Sequence, residues 1–262
     1  MARITFIMLL VLGLLTGVVF AVDPSLDIRG ALFFRSLVEQ PELRPAGRIV
    51  ELVRELGPLV IVAAIAPAVA SLLMKMFWPK RPTLMTSSAA LFLIFSLALG
   101  PGLLVNAILK ENWARPRPGM VTEFGGDYVF KPWWDPRGTC DSNCSFVSGE
   151  TSSAVWMTAP ALLVPPPWRY AALGAAGLYA VVVASLRMLV GGHFLSDVIF
   201  AGVFTGLVIW AVHGFFFRWP ASRVDEGTFD AAFEKIGRMI HRFVATLVPS
   251  RGARPDKRLP PA

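Results

Sequence analysis

Six long apolar stretches limit this chain to a small set of folds. A helix needs about 20 mostly apolar residues to cross the hydrocarbon core of a bilayer. Six stretches approach that length when runs of apolar residues are counted. They are residues 4–22, 58–78, 86–109, 151–165, 170–186 and 194–217. The pattern predicts an all-α fold in the form of a six-helix transmembrane bundle.

The composition and the charge also favour a membrane protein. Of the 262 residues, 55% are hydrophobic and only 16% are charged, against about 45–50% and about 25% in soluble domains. The net charge is +7, and the basic residues lie between the apolar stretches. This placement favours the bilayer and an anionic lipid as partners and argues against nucleic acid.

Two of the six stretches have alternative interpretations. The fourth, residues 151–165, is short and contains Thr158 and Pro160. The first ends with the small residues Val19 and Ala21, which also fit a signal-peptide cleavage site. An uncleaved first helix is favoured because it gives an even set of six.

Loop charge predicts how the bundle is oriented. The loop between the second and third stretches carries Lys75, Lys80 and Arg81 and no acidic residue. Short positive loops stay in the cytoplasm. We therefore expect the connections 110–150 and 187–193 to face outward.

Two segments outside the six stretches have amphipathic patterns. Residues 46–56 place Leu52, Val53 and Leu56 on one helical face, and the C-terminal tail has a similar pattern. Such segments predict short amphipathic surface helices, although packing against the bundle or a partner would give the same pattern. We expect a membrane-embedded domain at 1–217 and a cytoplasmic amphipathic and disordered tail at 218–262.

Three polar clusters lie at the predicted outer ends of the helices. Lys110 and Arg117 follow the third stretch, Ser148 and Gly149 precede the fourth, and Arg187 follows the fifth. Guanidinium groups bind phosphate oxygens through paired hydrogen bonds and stay charged at physiological pH. Free backbone N–H groups at a helix start add an anion site, which glycine leaves open to close approach. The clusters predict a pocket for a phosphate group.

The same predicted outer face of the bundle also offers a nucleophile. His193 and Asp197 are four residues apart, so they share a face if the sixth helix begins at His193. Asp197 would then accept a hydrogen bond from one ring nitrogen and leave the other free to attack phosphorus. An anion cradle, a nucleophile and an orienting acid together predict covalent phosphoryl transfer.

In order and spacing, these residues resemble a known three-part signature. Lys110-x6-Arg117-Pro118, then Ser148-Gly149, then Arg187-x5-His193-x3-Asp197 are similar to the motifs of the type 2 phosphatidic acid phosphatase superfamily. The resemblance implies a metal-independent phosphatase domain that uses no cofactor and forms a phosphohistidine on His193. Asp197 would orient His193, while Lys110, Arg117, Arg187, Ser148 and Gly149 would bind the phosphate. It also implies a bacterial inner (cytoplasmic) membrane enzyme with its site facing the periplasm.

The chain departs from that signature at two positions. Glu150 stands where the family usually has the histidine that acts as general acid, and Leu186 precedes Arg187 where serine is usual. Glu150 is our candidate for the acid. The Ser-Gly-Glu block is similar to that of some bacterial lipid A phosphatases. Arg115 also precedes a proline, but the six-residue spacing from Lys110 selects Arg117.

The resemblance implies hydrolysis of a lipid phosphomonoester or pyrophosphate. Lipid A, polyprenyl pyrophosphate, phosphatidylglycerol phosphate and phosphatidic acid are the candidate substrates. A lipid phosphotransferase and a catalytically silent lipid-phosphate-binding protein remain as alternatives. Cys140 and Cys144 lie in the outer loop, where either a disulfide or two free thiols are possible.

Overall fold

The described part of the chain is helical. The structure, a computed structural model, describes residues 2–39, 46–222 and 225–247. Within these ranges there is no strand, and one isolated bridge joins Val121 to Tyr128. The helices are α1 (Ala2–Val22), α2 (Ser25–Val38), α3 (Ala46–Phe77), α4 (Ser87–Leu97), a π-helical continuation (Ala98–Leu109), α5 (Lys110–Asn112), α6 (Gly149–Trp156), α7 (Thr158–Leu163), α8 (Trp168–Leu189), α9 (Leu195–His213), a second π-helical continuation (Gly214–Arg218) and α10 (Glu226–Leu247). Three short 3-10 helices lie at Pro118–Met120, Thr122–Phe124 and Pro220–Ser222.

Five helical segments of the described chain are long and apolar enough to cross a membrane. They are Ala2–Val22, Glu51–Phe77, Ser87–Asn112, Trp168–Leu189 and Leu195–Arg218. Large apolar side chains such as Leu14, Val62 and Leu178 lie exposed on their outer faces, as expected where lipid replaces water as the solvent. The chain is a multi-pass membrane protein.

The fourth predicted stretch, residues 151–165, folds into two short helices. Helix α6 ends at Trp156 and α7 begins at Thr158, whose hydroxyl donates to the carbonyl of Val155 at 2.8 Å. Pro160 cannot donate to the carbonyl of Trp156, so it removes one helical hydrogen bond at this break. The helix pair packs against α8 and α9. A count of six crossings stays a prediction, since neither short helix spans a bilayer by itself.

The core of the bundle lies between α4, the α6–α7 pair and α9. Trp156 is fully buried there with Phe92 and Leu93. Its indole Nε1 donates to Ser96 Oγ at 2.9 Å, which satisfies the only polar group of that side chain. This core fixes the position at which α6 begins, and α6 begins at the predicted phosphate pocket.

Residues 46–56 do not form a separate surface helix. Helix α3 begins at Ala46 and continues to Phe77, so the amphipathic segment is the first part of a spanning helix. Part of this amphipathic segment faces a cavity, which Val53 and Arg54 line.

Helix α10 packs against the end of the bundle opposite to that cavity. Asp230 accepts from Ser87 Oγ at 2.7 Å and pairs with Lys75 Nζ at 2.6 Å. Glu226 accepts from the backbone N–H of Ser88 at 3.1 Å, which places a carboxylate at the start of α4. Met239 and Phe243 remain exposed on α10. Residues 223–224 and 248–262 of the predicted tail lie outside the described residues, and the division at 217 stays a prediction.

Candidate active site

The three polar clusters of the sequence meet at one end of the bundle. Lys110 lies at the end of the third spanning segment, Arg187 in the last turn of α8, and His193 in the link to α9. A cavity of about 410 Å³ is lined by these three residues together with Arg117 and Glu150. Five of the eight predicted site residues therefore share one cavity.

His193 is held by a backbone carbonyl. Its Nδ1 lies 2.7 Å from the carbonyl oxygen of Ser145. A carbonyl only accepts, so Nδ1 carries the proton and Nε2 keeps a free lone pair. Burial, together with the nearby charges of Arg187 and Arg117, holds the pKa of His193 well below its ordinary value of 6.5. The ring is therefore neutral at physiological pH, as a nucleophile must be.

The predicted hydrogen bond between His193 and Asp197 is not formed. The two side chains are 3.9 Å apart at their nearest polar atoms. Asp197 Oδ2 instead accepts from Ser145 Oγ at 2.5 Å and from the backbone N–H of Phe194 at 2.8 Å. Asp197 thus holds Ser145 and Phe194 in place, and the Ser145 carbonyl replaces it as the direct partner of the ring.

Ser148 and Gly149 lie at the start of α6, as predicted, but the serine hydroxyl does not face the cavity. Ser148 is fully buried, and its Oγ accepts from the backbone N–H of Thr151 at 3.3 Å. This is the ordinary geometry of a helix N-cap. Gly149 is required for a close approach, since a Cβ there would lie 2.5 Å from Asn106 Oδ1.

The cations of the site are close to one another. Arg117 Nε donates to the carbonyl of Asn143 at 2.9 Å. Burial lowers the pKa of Arg117, and the charge of Arg187 lowers it further. Gly192 leaves room for the side chain of Arg187, because a Cβ at Gly192 would lie 2.6 Å from Arg187 Nη2. A bound dianion would relieve this mutual repulsion.

Glu150 is the carboxylate of the cavity. One of its oxygens lies 3.3 Å from Arg187 Nε, and its side chain is 42% exposed. It therefore lies at the mouth of the cavity, where it reaches both solvent and the cation cluster. This places an acidic group where the family usually has a histidine.

A buried ion network, which the sequence analysis did not predict, contacts Asp197 and so supports the site. Arg115 is fully buried and donates to Asp197 at 2.5 Å, to Asp27 at 2.7 Å and to Ser196 Oγ at 2.9 Å. Asp27, from α2, also accepts from the backbone N–H of Ser196 at 2.9 Å. The ring of Phe194 lies 4.5 Å from the guanidinium carbon. The sequence does contain a signal for Arg115, because Arg115 and Arg117 each precede a proline. The six-residue spacing from Lys110 selected Arg117 and left Arg115 without a role.

A second cavity, of about 530 Å³, adjoins the first. The two share four lining residues: Arg54, Lys110, Glu150 and Arg187. The remainder of the second cavity is mainly apolar and includes Ile61, Val62, Ala154, Val183 and Leu186. A charged chamber thus opens into an apolar one between α3, α6 and α8.

Two further observations concern the cysteines of the outer loop and the metal-ligating types of side chain. Cys140 and Cys144 are joined by a disulfide, with their Cα atoms 5.9 Å apart. Among the described residues, no group of three or more His, Cys, Asp or Glu side chains is placed to hold a metal ion.

Fold and site together define a helical multi-pass membrane protein with a buried neutral histidine beside a cluster of cations. The family model of the PAP2 superfamily matches residues 89–221. This match covers half of the chain and includes all three polar clusters. The chain belongs to the PAP2 superfamily, which confirms the family resemblance of its motifs.

Three curated relatives are each named lipid A 4'-phosphatase. The protein of Francisella tularensis subsp. novicida (strain U112) is 40% identical over 131 residues, which cover 50% of this chain and 59% of the relative. The protein of Rhizobium leguminosarum is 43% identical over 116 residues, covering 44% and 49%. That of Rhizobium etli (strain ATCC 51251 / DSM 11541 / JCM 21823 / NBRC 15573 / CFN 42) is 44% identical over 116 residues, covering 44% and 45%. The chain spans about half the length of the curated relatives it matches.

A solved structure shares the fold. The transmembrane PAP2-type phosphatidylglycerolphosphate phosphatase from Bacillus subtilis superposes with a TM-score of 0.50 at 20% sequence identity. The superposition covers 82% of this chain and 94% of that one. It supports the helical arrangement described above.

Proposed function

We propose that this protein is a lipid phosphatase that hydrolyses a lipid phosphomonoester through a phosphohistidine on His193. The observation that carries the proposal is the neutral, Nδ1-bonded His193 in a cavity lined by Lys110, Arg117 and Arg187. Such a ring has a lone pair to donate, and the cations hold the phosphate against it. Membership of the PAP2 superfamily supports the same chemistry.

The first step would form a phosphorus–nitrogen bond. The lone pair of His193 Nε2 attacks phosphorus, and the bond from phosphorus to the lipid oxygen breaks. The ring gains positive charge, which the Ser145 carbonyl stabilises through Nδ1–H. Lys110, Arg117 and Arg187 offset the negative charge of the equatorial oxygens.

The leaving oxygen takes the electron pair of the broken bond and needs a proton. We assign this proton to the carboxyl group of Glu150, which lines the same cavity. In the second step water attacks phosphorus, Glu150 recovers the proton, and the phosphorus–nitrogen bond breaks to release inorganic phosphate. His193 Nε2 regains its lone pair.

The second cavity supports a lipid as the substrate. Its apolar walls adjoin the cation cluster, so a molecule with an anionic head and an apolar body fits both chambers. The relatives named lipid A 4'-phosphatase favour a phosphorylated glycolipid of the lipid A class. We place the site at the periplasmic face of the inner membrane, because the opposite end carries the positive loop at Lys75–Arg81.

The test is release of inorganic phosphate by the purified protein in detergent with a chelator present. The panel comprises lipid A, undecaprenyl pyrophosphate, phosphatidylglycerol phosphate and phosphatidic acid, and His193→Ala is the control. We expect release from lipid A that the variant abolishes. Release that needs an added lipid acceptor would instead indicate a phosphotransferase. No release from any substrate would indicate a protein that only binds lipid phosphates.

A further inference from the structure

Arg54 lies next to the cation cluster but belongs to none of the three sequence motifs. It is in the first part of α3, before residue 89, where the family match begins. It lines both the charged chamber and the apolar chamber. A residue that sequence comparison leaves unassigned thus shares the walls of the site with Lys110 and Arg187.

The side chain of Arg54 is available to a ligand. It is exposed, and no ion pair or hydrogen bond joins it to any of the described residues. Its positive charge nevertheless reaches the site, because it contributes to lowering the pKa of Arg117, after burial and Arg187. Arg54 therefore adds a fourth cation to Lys110, Arg117 and Arg187.

The charges of the two chambers do not balance without a ligand. Four cations face one lining carboxylate, Glu150, which leaves three positive charges in excess. A phosphomonoester carries about −1.5 to −2 near neutral pH. Clefts lined by one sign of charge concentrate ions of the opposite sign. The excess is positive, and one bound phosphate group would offset about two of the three charges.

We propose that Arg54 is a further phosphate-binding residue, which captures the phosphate of the substrate from the α3 side of the cavity. This inference rests on the proposed function for the nature of the substrate, but binding does not require turnover. Arg54 acts on affinity, because the other three cations and His193 remain in place without it. Its guanidinium is placed to bind as the headgroup passes from the apolar chamber into the charged one.

The experiment measures inorganic phosphate binding to the detergent-solubilised protein by the rise in its unfolding temperature with phosphate concentration. Arg54→Ala is compared with Arg54→Lys and with Arg81→Ala, an exposed arginine beyond the opposite end of α3. We expect Arg54→Ala to weaken phosphate binding by roughly tenfold, as for loss of a charge-assisted contact. Arg54→Lys should recover part of the affinity and Arg81→Ala should match wild type.

The outcomes separate this inference from the proposed function. Equal phosphate affinity of Arg54→Ala and wild type would overturn the inference and would leave a role for Arg54 in contacts with the bilayer. A wild-type protein that binds phosphate but releases none from any lipid would contradict the proposed function alone. Where turnover is measured, Arg54→Ala should raise KM about tenfold and change kcat by less than about threefold.

Discussion

The state of His193 that suits it to the proposed role depends on a backbone carbonyl and on the surroundings of the ring. The Ser145 carbonyl fixes the proton on Nδ1, and burial of the ring, together with the nearby cations, lowers the pKa of His193. In the proposed mechanism the same cations bind the phosphate, so one set of charges contributes both to the protonation state of the ring and to the affinity for phosphate. At the residue scale, binding and activation are therefore coupled.

The pH dependence should reveal this coupling. Because the pKa of His193 is lowered, the ring gains a proton only at a pH below its ordinary pKa of 6.5. The acid limb of kcat/KM, which is the fall at acid pH that results from protonation of His193, should therefore lie below pH 6.5. Arg117→Ala removes one of the charges responsible, so the limb should move to higher pH. Arg137→Ala, at an exposed arginine of the same loop, serves as the control. A limb at the same pH in all three proteins would contradict the account.

Glu150 should act on the chemical step. If its carboxyl group protonates the leaving oxygen, Glu150→Gln should lower kcat by about 10²- to 10⁴-fold with a small change in KM. The amide keeps the size of the side chain but cannot donate a proton in this way. Steady-state kinetics on lipid A measures both parameters. Full activity in this variant would remove Glu150 from the acid role.

Arg115 should contribute mainly to stability. Arg115→Met leaves two buried carboxylates, Asp27 and Asp197, without their cation, and we expect a loss of about 3–5 kcal/mol. Asp27→Asn combined with Arg115→Met should cost less than the sum of the single variants, because the residues share one network. Unfolding in detergent measures each difference. If the stability losses of the two single variants simply add in the double variant, Arg115 and Asp27 are not coupled and the prediction is wrong.

Sequence alone identified the residues that carry local signals. Lys110, Arg117 and His193 stand at fixed spacings in ordered blocks, and the structure places all three on one cavity. Arg54 and Asp27 carry no such signal, because Arg54 belongs to none of the ordered motifs and the partners of Asp27 lie far along the chain. Asp27, for example, meets Ser196 across 169 positions, and only the packing of α2 against α9 brings the two together.

Helix ends, more than helix interiors, determine this site. Helix α6 begins at Gly149, α8 ends just after Arg187 and α9 begins just after His193. Apolar runs predicted these boundaries to within a few residues. They did not predict the break at Met157, because a buried short helix and a spanning helix have similar composition. Pro160 was the sequence signal for this break, because proline cannot donate the helical hydrogen bond to the carbonyl of Trp156.

Helix α10 offers a test of close helix packing away from the site. A Cβ at Gly237 would lie 1.8 Å from the carbonyl oxygen of Met76, so Gly237→Ala should separate α10 from α3. We expect a loss of about 1–3 kcal/mol in stability with activity unchanged. Gly174→Ala, in α8, meets no atom within 4 Å and should be neutral or stabilising. Equal stability of the two variants would contradict the packing described.

The whole molecule has two chemically distinct ends. Arg54 and Lys75 lie 21 positions apart on α3, a rise of about 30 Å, which is close to the thickness of the hydrocarbon core. Arg54 lines the charged cavity, and Lys75 pairs with Asp230 of α10. The apolar chamber adjoins the charged chamber between α3, α6 and α8, which is where the body of the proposed lipid substrate would lie.

The covalent intermediate tests the central claim most directly. Lipid A labelled with ³²P in its phosphomonoester is mixed with excess enzyme and quenched in alkali within one turnover. We predict a protein-bound label that is stable to alkali, labile to acid and absent from His193→Ala, as phosphohistidine requires. Labelled inorganic phosphate released at wild-type rates with no protein-bound label, or by the variant, would contradict the account.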